Sequence, residues 1–315
     1  MTTEIRFGGY QGDASVHTRA GRVLAEALDE YSEGAARLVF TENITGSGRK
    51  AADLLSMTEA GELDGCYFST SYLTGRVPDL GVFDQHFAVP DRVRAYAILD
   101  GVIGERLKRR VGDDTGFALL GFWDNGVRHI SATRPLRTPV DCAGLSIRTL
   151  ANADHQRVFA ALGFEPRAID VRDLPEAVRT GAVDAQENPL TNIVNFDLHK
   201  THRHVTLTAH LLGVVGLFFN ADAVARWDEK LHVAMHAAIA KATAAQRQFA
   251  QDEDTRCTAA LEADSGTVIP LSEPERAAFV DATREAVAQM RTAFDPDLLK
   301  VFDTAIAPRH APQPF

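Results

Sequence analysis

Residues 5–72 alternate short β-branched or aromatic runs with amphipathic stretches, and that alternation narrows the fold more than any other feature of the chain. Ile5 to Tyr10 reads as a first strand, closed by the Gly8-Gly9-Tyr10-Gln11-Gly12-Asp13 loop. From Ser15 to Glu33 the residues Val16, Ala20, Val23, Leu24, Ala27, Leu28 and Tyr31 recur at three- and four-residue steps, one face of a helix that Gly34 stops. Arg37 to Phe40 is a second strand, Ala51 to Ala60 a second helix ended by Gly61, and Leu63 to Phe68 a third strand. Such a rhythm predicts a parallel sheet with helices on both faces. Ligands of such sheets sit at the carboxyl ends of the strands. The loops Gln11–His17, Thr45–Lys50 and Ser69–Tyr72 are therefore candidate contacts, although their glycines and hydroxyls suit ordinary turns equally well.

A helix is expected from Val93 to Val111, then a doubly buried strand over Phe117–Trp123. Asp124-Asn125-Gly126 reads as a turn, with Val127–Ser131 resuming as a strand in a second lobe. The rhythm then repeats: strands at Leu145–Thr149, Pro166–Ile169 and Val183–Glu187, with helices at His155–Leu162 and Asp173–Thr180 between them. His204–Thr208 is expected to cross back, and Gly213–Asn220 to add another strand. Two lobes joined by short β crossovers suit a hinged, clam-shaped binder. The expected division is 1–124 plus about 213–253 for the first lobe, and about 125–212 plus 254–315 for the second. From Asp222 to about Leu261 an apolar stripe including Val224, Trp227, Leu231, Met235 and Ile239 predicts a helix near ~50 Å long, enough to brace both lobes. Thr267–Pro270 is one more strand, followed by helices at Glu273–Met290 and Pro296–Ala305 and a polar, proline-containing tail.

Composition removes several functions. A net charge of −10 over 315 residues disfavours nucleic acid or an anionic membrane as the main partner. Cys66, Cys142 and Cys257 form neither a disulfide framework nor a metal-type spacing, and buried free thiols are expected. Gly46-Ser47-Gly48-Arg49-Lys50 lacks phosphate-loop spacing, and His199, His202 and His204 suit a solvated loop better than a metal tract. Neither a cofactor nor a metal is expected.

The residues that point to a ligand lie between 122 and 190. Arg128 and Arg148 each sit in a short β-branched run, where an arginine is costly to bury unless an anion meets it. Its planar fork matches a carboxylate with two parallel hydrogen bonds, while an internal ion pair is the plainer alternative. Gln186, Glu187 and Asn188 end a strand just before Pro189, where the Asn188 amide can meet a carboxylate or simply cap the next segment.

Taken together, Phe122–Ile130, Arg134–Arg148 and Leu174–Leu190 resemble the extracytoplasmic solute-binding proteins of TRAP transporters, the DctP family. Those proteins carry a G-F-R-x-I-like strand, a P-x-D-L-x-G-x-K-I-R element and a T-G-x-V-D-G-Q-E-N-P element. The resemblance implies a two-lobed, periplasmic-binding-protein-like α/β fold, hinged around a central cleft and bridged by a long helix. It implies that Arg148 makes the main salt bridge to a substrate carboxylate, that Asn188 assists, and that Arg128 adds a second contact. Val127, Ala185 and Ser146 stand where Phe, Gly and Lys are usual, and Gln85-His86-Phe87 departs from the usual L-P-F. Gln11, Asp13, His17, Tyr67, Ser69 and Thr70 are expected to complete the pocket from the first lobe.

The expected function is a monomeric, non-catalytic protein that hands a small organic acid to TRAP membrane permease subunits. A periplasmic location follows if a leader was removed, a cytoplasmic one if Met1 is the native start. A cytoplasmic lyase or decarboxylase acting on a carboxylic acid, using His129, His155 or His210, is the alternative on the same fold.

Overall fold

In a computed structural model the described residues are 2–89, 91–264 and 266–307. The proline-containing tail expected at the C-terminus lies outside them. The first half of the chain runs β1 (Thr3–Gly8), α1 (Val16–Tyr31), β2 (Ala36–Thr41), α2 (Asp53–Glu59), β3 (Gly65–Ser69), α3 (Arg92–Leu99), α4 (Val102–Asp114) and β4 (Phe117–Ala132). It continues with α5 (Pro139–Cys142), β5 (Ser146–Thr149), α6 (Ala153–Ala161), β6 (Glu165–Ala168), α7 (Leu174–Arg179), β7 (Ala185–Pro189) and α8 (Leu190–Asn195). The rest is β8 (His204–Asn220), α9 (Ala221–Ala225), α10 (Glu229–Ala263), β9 (Thr267–Pro270), α11 (Glu273–Arg291) and α12 (Pro296–Ile306).

All strands join one sheet in the order β2-β1-β3-β8-β4-β7-β5-β6, with β9 added to the start of β8. The two long antiparallel strands β4 and β8 belong to both halves of it. Their outer stretch pairs 117–124 with 214–220 beside β3, and their inner stretch pairs 130–132 with 204–206 beside β7 and β9. The sequence reading broke each of these strands in two, and the structure keeps each whole.

The reason lies in two bulges. Asp124-Asn125-Gly126 is not a turn but a one-residue insertion in β4, because Asp124 faces Val214 while Val127 faces Leu212. Gly126 takes φ +87°, and a Cβ there would meet Pro189 Cβ at 2.6 Å, so only glycine fits. In β8 the step from Leu211 to Thr206 spans five residues against two in β4, with Ala209 at φ 44°. Local residue chemistry is the same for a turn and for a bulge; the pairing partner decides which one forms.

The bulges are pinned rather than loose. Gln246, midway along α10, accepts from the Asp124 amide at 2.8 Å and donates to its carbonyl at 2.6 Å. The Asp124 carboxylate takes Arg92 at 2.6 Å and the Tyr96 hydroxyl at 2.5 Å, and Arg92 also reaches Asp254. Helix α10 thus ties α3 to the crossover, and its two ends bury into different cores. Met235, Ile239 and Ala242 pack with Phe7, Tyr67, Trp123 and Phe218, whereas Cys257 and Leu261 pack with Leu190, Ile193 and Val205.

A third core gathers Ile130, Ile147, Phe159, Ala185 and Phe279 under the second half. Leu298 and Phe302 of α12 join the first core, Phe302 edge-on to Phe83, so the last helix does not follow residues 254–291 into the second half as the sequence reading had it. The single helix expected over 93–111 is split at Gly101, the N-cap of α4. A Cβ on Gly104 would come within 1.8 Å of the Leu99 carbonyl oxygen, which is how so tight a corner is accommodated. The three cysteines are free and buried.

Candidate functional site

β5 is buried along its whole length, pairing with β6 on one side and β7 on the other, and Arg148 lies one residue from its carboxyl end. The Arg148 side chain is 1% exposed. Its Nε donates to the Ile169 carbonyl at 2.8 Å, while its Nη2 is buried without a hydrogen-bond partner. A buried guanidinium normally finds an anion, since the cost of desolvating it is otherwise unmatched.

Arg128 is equally buried, and its Nε and Nη2 are both bonded. It donates through Nε to Glu187 Oε2 at 2.5 Å and through Nη2 to Oε1 at 2.7 Å and to the Glu187 carbonyl at 2.8 Å. Burial alone would pull the Arg128 pKa down, but the Glu187 carboxylate overrides it and the net shift is upward. For Glu187, burial pushes up and is overcome by Arg128 and by His210, whose Nε2 lies 3.3 Å from Oε2, so the carboxyl is held well below its usual range. The plainer of the two sequence alternatives, an internal ion pair, is the geometry at Arg128.

Asn188 belongs to an amide relay. Gln186 donates to Ser131 Oγ at 2.6 Å, Asn188 Nδ2 to Gln186 Oε1 at 2.6 Å, Asn192 to Asn188 Oδ1 at 3.1 Å, and Gln11 to Asn192 Oδ1 at 3.4 Å. The last step links the loop after β1 to α8, across the two halves of the sheet.

Arg148, Arg128 and Asn188 share one cleft with Ser69, Asn125 and Asn192, walled by Tyr10, Phe68, Tyr72, Leu150 and Val171. Its free space is about 20 Å³, so the halves are drawn together over it. A roomier hollow of about 990 Å³ near Tyr31 and Trp227 is open to solvent, and none of its lining residues carries a buried unpartnered polar atom. Of the two, the small cleft is the one lined by buried unpartnered polar atoms.

The remaining expected contacts divide. Ser69 lines the cleft with its Oγ buried and unpartnered. Gln11 and His17 stand behind the wall: Gln11 Oε1 lies 3.0 Å from His17 Nδ1 and accepts from Ser15, and the His17 ring stacks on Tyr67. Burial lowers the His17 pKa to about 4, the nearby Asp124 opposing in part. Tyr67 is a core residue whose hydroxyl accepts from the Tyr10 amide, and Thr70 donates to the Val214 carbonyl. Asp13 is at the surface, 3.0 Å from Arg22, with its side chain 87% exposed, and does not line the cleft.

Residues 7–293 match the family described as bacterial extracellular solute-binding protein, family 7, or DctP. The chain belongs to this family. Among its relatives is the uncharacterised protein y4mM of Sinorhizobium fredii (strain NBRC 101917 / NGR234), 29% identical over 92% of this chain and 53% of that protein, so the chain spans about half the length of that relative. Another is the 2,3-diketo-L-gulonate-binding periplasmic protein YiaO of Escherichia coli (strain K12), 24% identical over 95% of this chain and 91% of that one. The fold is that of the sugar acid binding protein DctPAm from Advenella mimigardefordensis, solved with galactonate, at TM-score 0.92 and 23% identity over 97% and 98% of the two chains. A TRAP periplasmic solute binding protein from Bordetella bronchispeptica, with density assigned to pantoate, gives TM-score 0.90 at 25% identity over 97% and 100%.

Contacts join the two halves of the sheet on both sides of the site. Asn152 caps α6 through Oδ1, and its Nδ2 donates to the Ser71 carbonyl at 2.9 Å and Thr74 Oγ1 at 3.0 Å in the first half. Sequence reasoning missed Asn152, although an asparagine directly before a helical run is a capping signal. It also missed a buried stack in which His86 lies parallel to His210 at 5.1 Å and edge-on to His155 at 5.2 Å. Burial lowers the His86 pKa well below the ordinary imidazole value, helped by its two histidine neighbours. Among the described residues no group of histidines, cysteines and acids could hold a metal ion, and no helix is long and apolar enough to cross a membrane.

Proposed function

We propose that this chain captures a small organic acid between its two halves and delivers it to the membrane subunits of a TRAP-type transporter. The observation that carries the reading is Arg148, a fully buried guanidinium whose Nη2 faces a closed cleft with nothing to bond. A carboxylate entering there makes two charge-assisted hydrogen bonds in a water-poor site, where such pairs are strongest. Asn188 and the amide relay shape the floor, and Arg128 serves as scaffold, locked on Glu187.

Relatives support the ligand class, since 2,3-diketo-L-gulonate, galactonate and pantoate are all carboxylates. The bulged β4–β8 crossover is the hinge of this reading, dividing residues 1–124 with about 213–253 from about 125–212 with 254–291, while α12 rides on the first lobe. Opening breaks the Gln11–Asn192 and Asn152–Ser71 contacts and leaves each core intact. The family's extracellular description supports action outside the cytoplasm, and a monomer is sufficient because the cleft is complete within one chain.

Catalysis is not part of this reading. His129, His155 and His210 do not line the cleft, and burial lowers the His129 pKa to about 3 and the His210 pKa as well, which removes them as bases presented to a ligand. A thermal-shift screen of organic acids tests the proposal: an acid at a hundred times its dissociation constant adds about 2.7 kcal/mol of stability. A broad panel without any stabilising acid refutes it.

A further inference from the structure

The Gln85-His86-Phe87 segment places an imidazole outside the cleft, where the two halves meet. Phe87 takes φ 63° and its amide donates to the His210 carbonyl at 2.7 Å, which fixes the segment against β8. From there the His86 ring lies parallel to His210 at 5.1 Å and edge-on to His155 and Phe159 of α6 at 5.2 and 5.4 Å. His86 is buried, and neither of its ring nitrogens has a hydrogen-bond partner; both ring nitrogens of His155 are likewise unpartnered.

A proton on His86 finds no free anion in this closed state. From β7, the Glu187 carboxylate is taken by Arg128 and faced by His210. From the same segment, the Asp84 carboxylate accepts from Ser71 Oγ at 2.7 Å and lies 3.9 Å from His155 Nε2. β8 and α6 contribute further imidazoles, His210 and His155, with His129 of β4 close to His210. From α11, Arg276 lies over the Phe87 ring at 5.0 Å and Arg291 donates to Gln85 Oε1, so positive charge flanks the segment. Burial first, then His210 and His155, keep the His86 ring neutral, with Glu187 opposing in part.

We infer that closure over the bound acid is proton-linked: the closed form excludes a proton from His86, the open form admits one, and low pH therefore favours opening and release. This rests on the reading of the cleft as a carboxylate site that opens and closes. Asn152, the N-cap of α6, holds Ser71 and Thr74 one turn before His155. The motion that breaks those bonds lifts His155 and Phe159 off His86 and lets water reach its ring nitrogens. There the imidazole titrates near its ordinary value of about 6.5. Because the open form binds a proton that the closed form refuses, capture weakens as pH falls through that value.

Calorimetry on the intact protein tests the linkage with the tightest acid of the thermal-shift panel that stays ionised throughout, galactonate and pantoate being among those screened. Between about pH 7.5 and about pH 5 the affinity is expected to fall about thirtyfold, the value for one imidazole neutral in the closed form and titrating near about 6.5 in the open one. In two buffers of different ionisation enthalpy, binding at about pH 5.5 is expected to release about one proton. His86→Phe keeps the ring contacts and removes the titrating group. It is expected to bind within about threefold of the parent at about pH 7.5, to lose most of the pH dependence and to release no proton. Should that variant fail to fold, His86→Leu carries the same comparison. A parent affinity that changes by less than about threefold over this range, or a His86→Phe profile that follows the parent's, overturns this inference and leaves the carboxylate reading standing. Absence of binding by every acid of the panel at about pH 7.5 overturns that reading and this inference with it.

Discussion

Arg128 and Arg148 are both 1% exposed, both on strands, and both on the wall of one cleft, yet they have opposite surroundings. Arg128 meets the Glu187 carboxylate, itself backed by His210, and the Glu187 carbonyl within its own half of the sheet. Arg148 meets one carbonyl, and its Nη2 meets no partner. Burial therefore does not separate a structural arginine from a binding one; the state of each guanidinium hydrogen does. A closed ion pair is part of the scaffold, and an open one is a request for an anion from outside.

The comparison is broken most severely by opening the closed pair. Arg128→Met leaves Glu187 buried beside an apolar side chain and is expected to cost about 3–5 kcal/mol in chemical denaturation. The double variant Arg128→Met, Glu187→Gln, which leaves no buried charge behind, is expected to recover most of that loss. A cost below about 1 kcal/mol for the single variant shows that the pair is not structurally required.

Acid tests the neighbourhood of the same pair. The His86, His129 and His210 pKa values are lowered in the folded protein, burial being the first cause in each. Below the ordinary imidazole pKa of about 6.5 the unfolded chain takes up protons that the folded chain does not. Stability therefore falls as pH drops, by about 2 kcal/mol at pH 5 for each imidazole that stays neutral. The Glu187 carboxyl, held low, adds to the loss only below about pH 4.3. Both ring nitrogens of His86 lack partners, so His86→Phe removes no hydrogen bond. It is expected to flatten the melting curve against pH by about 2 kcal/mol at pH 5. An unaltered acid limb in this variant means that His86 is not among the groups that titrate on unfolding.

The smallest expected effect is the most diagnostic of the contrast. In the absence of ligand, Arg148→Met is expected to leave stability within about 1 kcal/mol of the parent, or raise it, because it removes a buried charge that no internal group answers. A loss as large as that of Arg128→Met makes the two arginines equivalent and ends the distinction.

The sequence carried one side of this contrast better than the other. Arg148 was legible because a strand end, a β-branched run and a family element coincide at a single position. The partner of Arg128 was less so: Glu187 lies 59 residues away, and only the β4–β7 register, which sets Ile130 opposite Glu187, brings them together. The same holds for the fold. The βαβ rhythm and the 35-residue helix follow from local periodicity. The continuity of β4 and β8 does not, because Asp-Asn-Gly has one local chemistry and two structural outcomes, chosen by the strand lying next to it. First-half contacts were placed by loop position alone, which is why Asp13 points to solvent, Tyr67 belongs to the core, and Asn125 went unseen inside an expected turn.

Titration calorimetry of Arg148→Met beside the parent protein, with the tightest acid from the panel, addresses the central claim most directly. The account predicts affinity lower by at least about a hundredfold, the scale for losing a charge-assisted pair in a desolvated site, with ligand-free stability within about 1 kcal/mol of the parent or higher. Affinity within about threefold of the parent would contradict it, and Arg148 would then be a buried charge without the function assigned to it here.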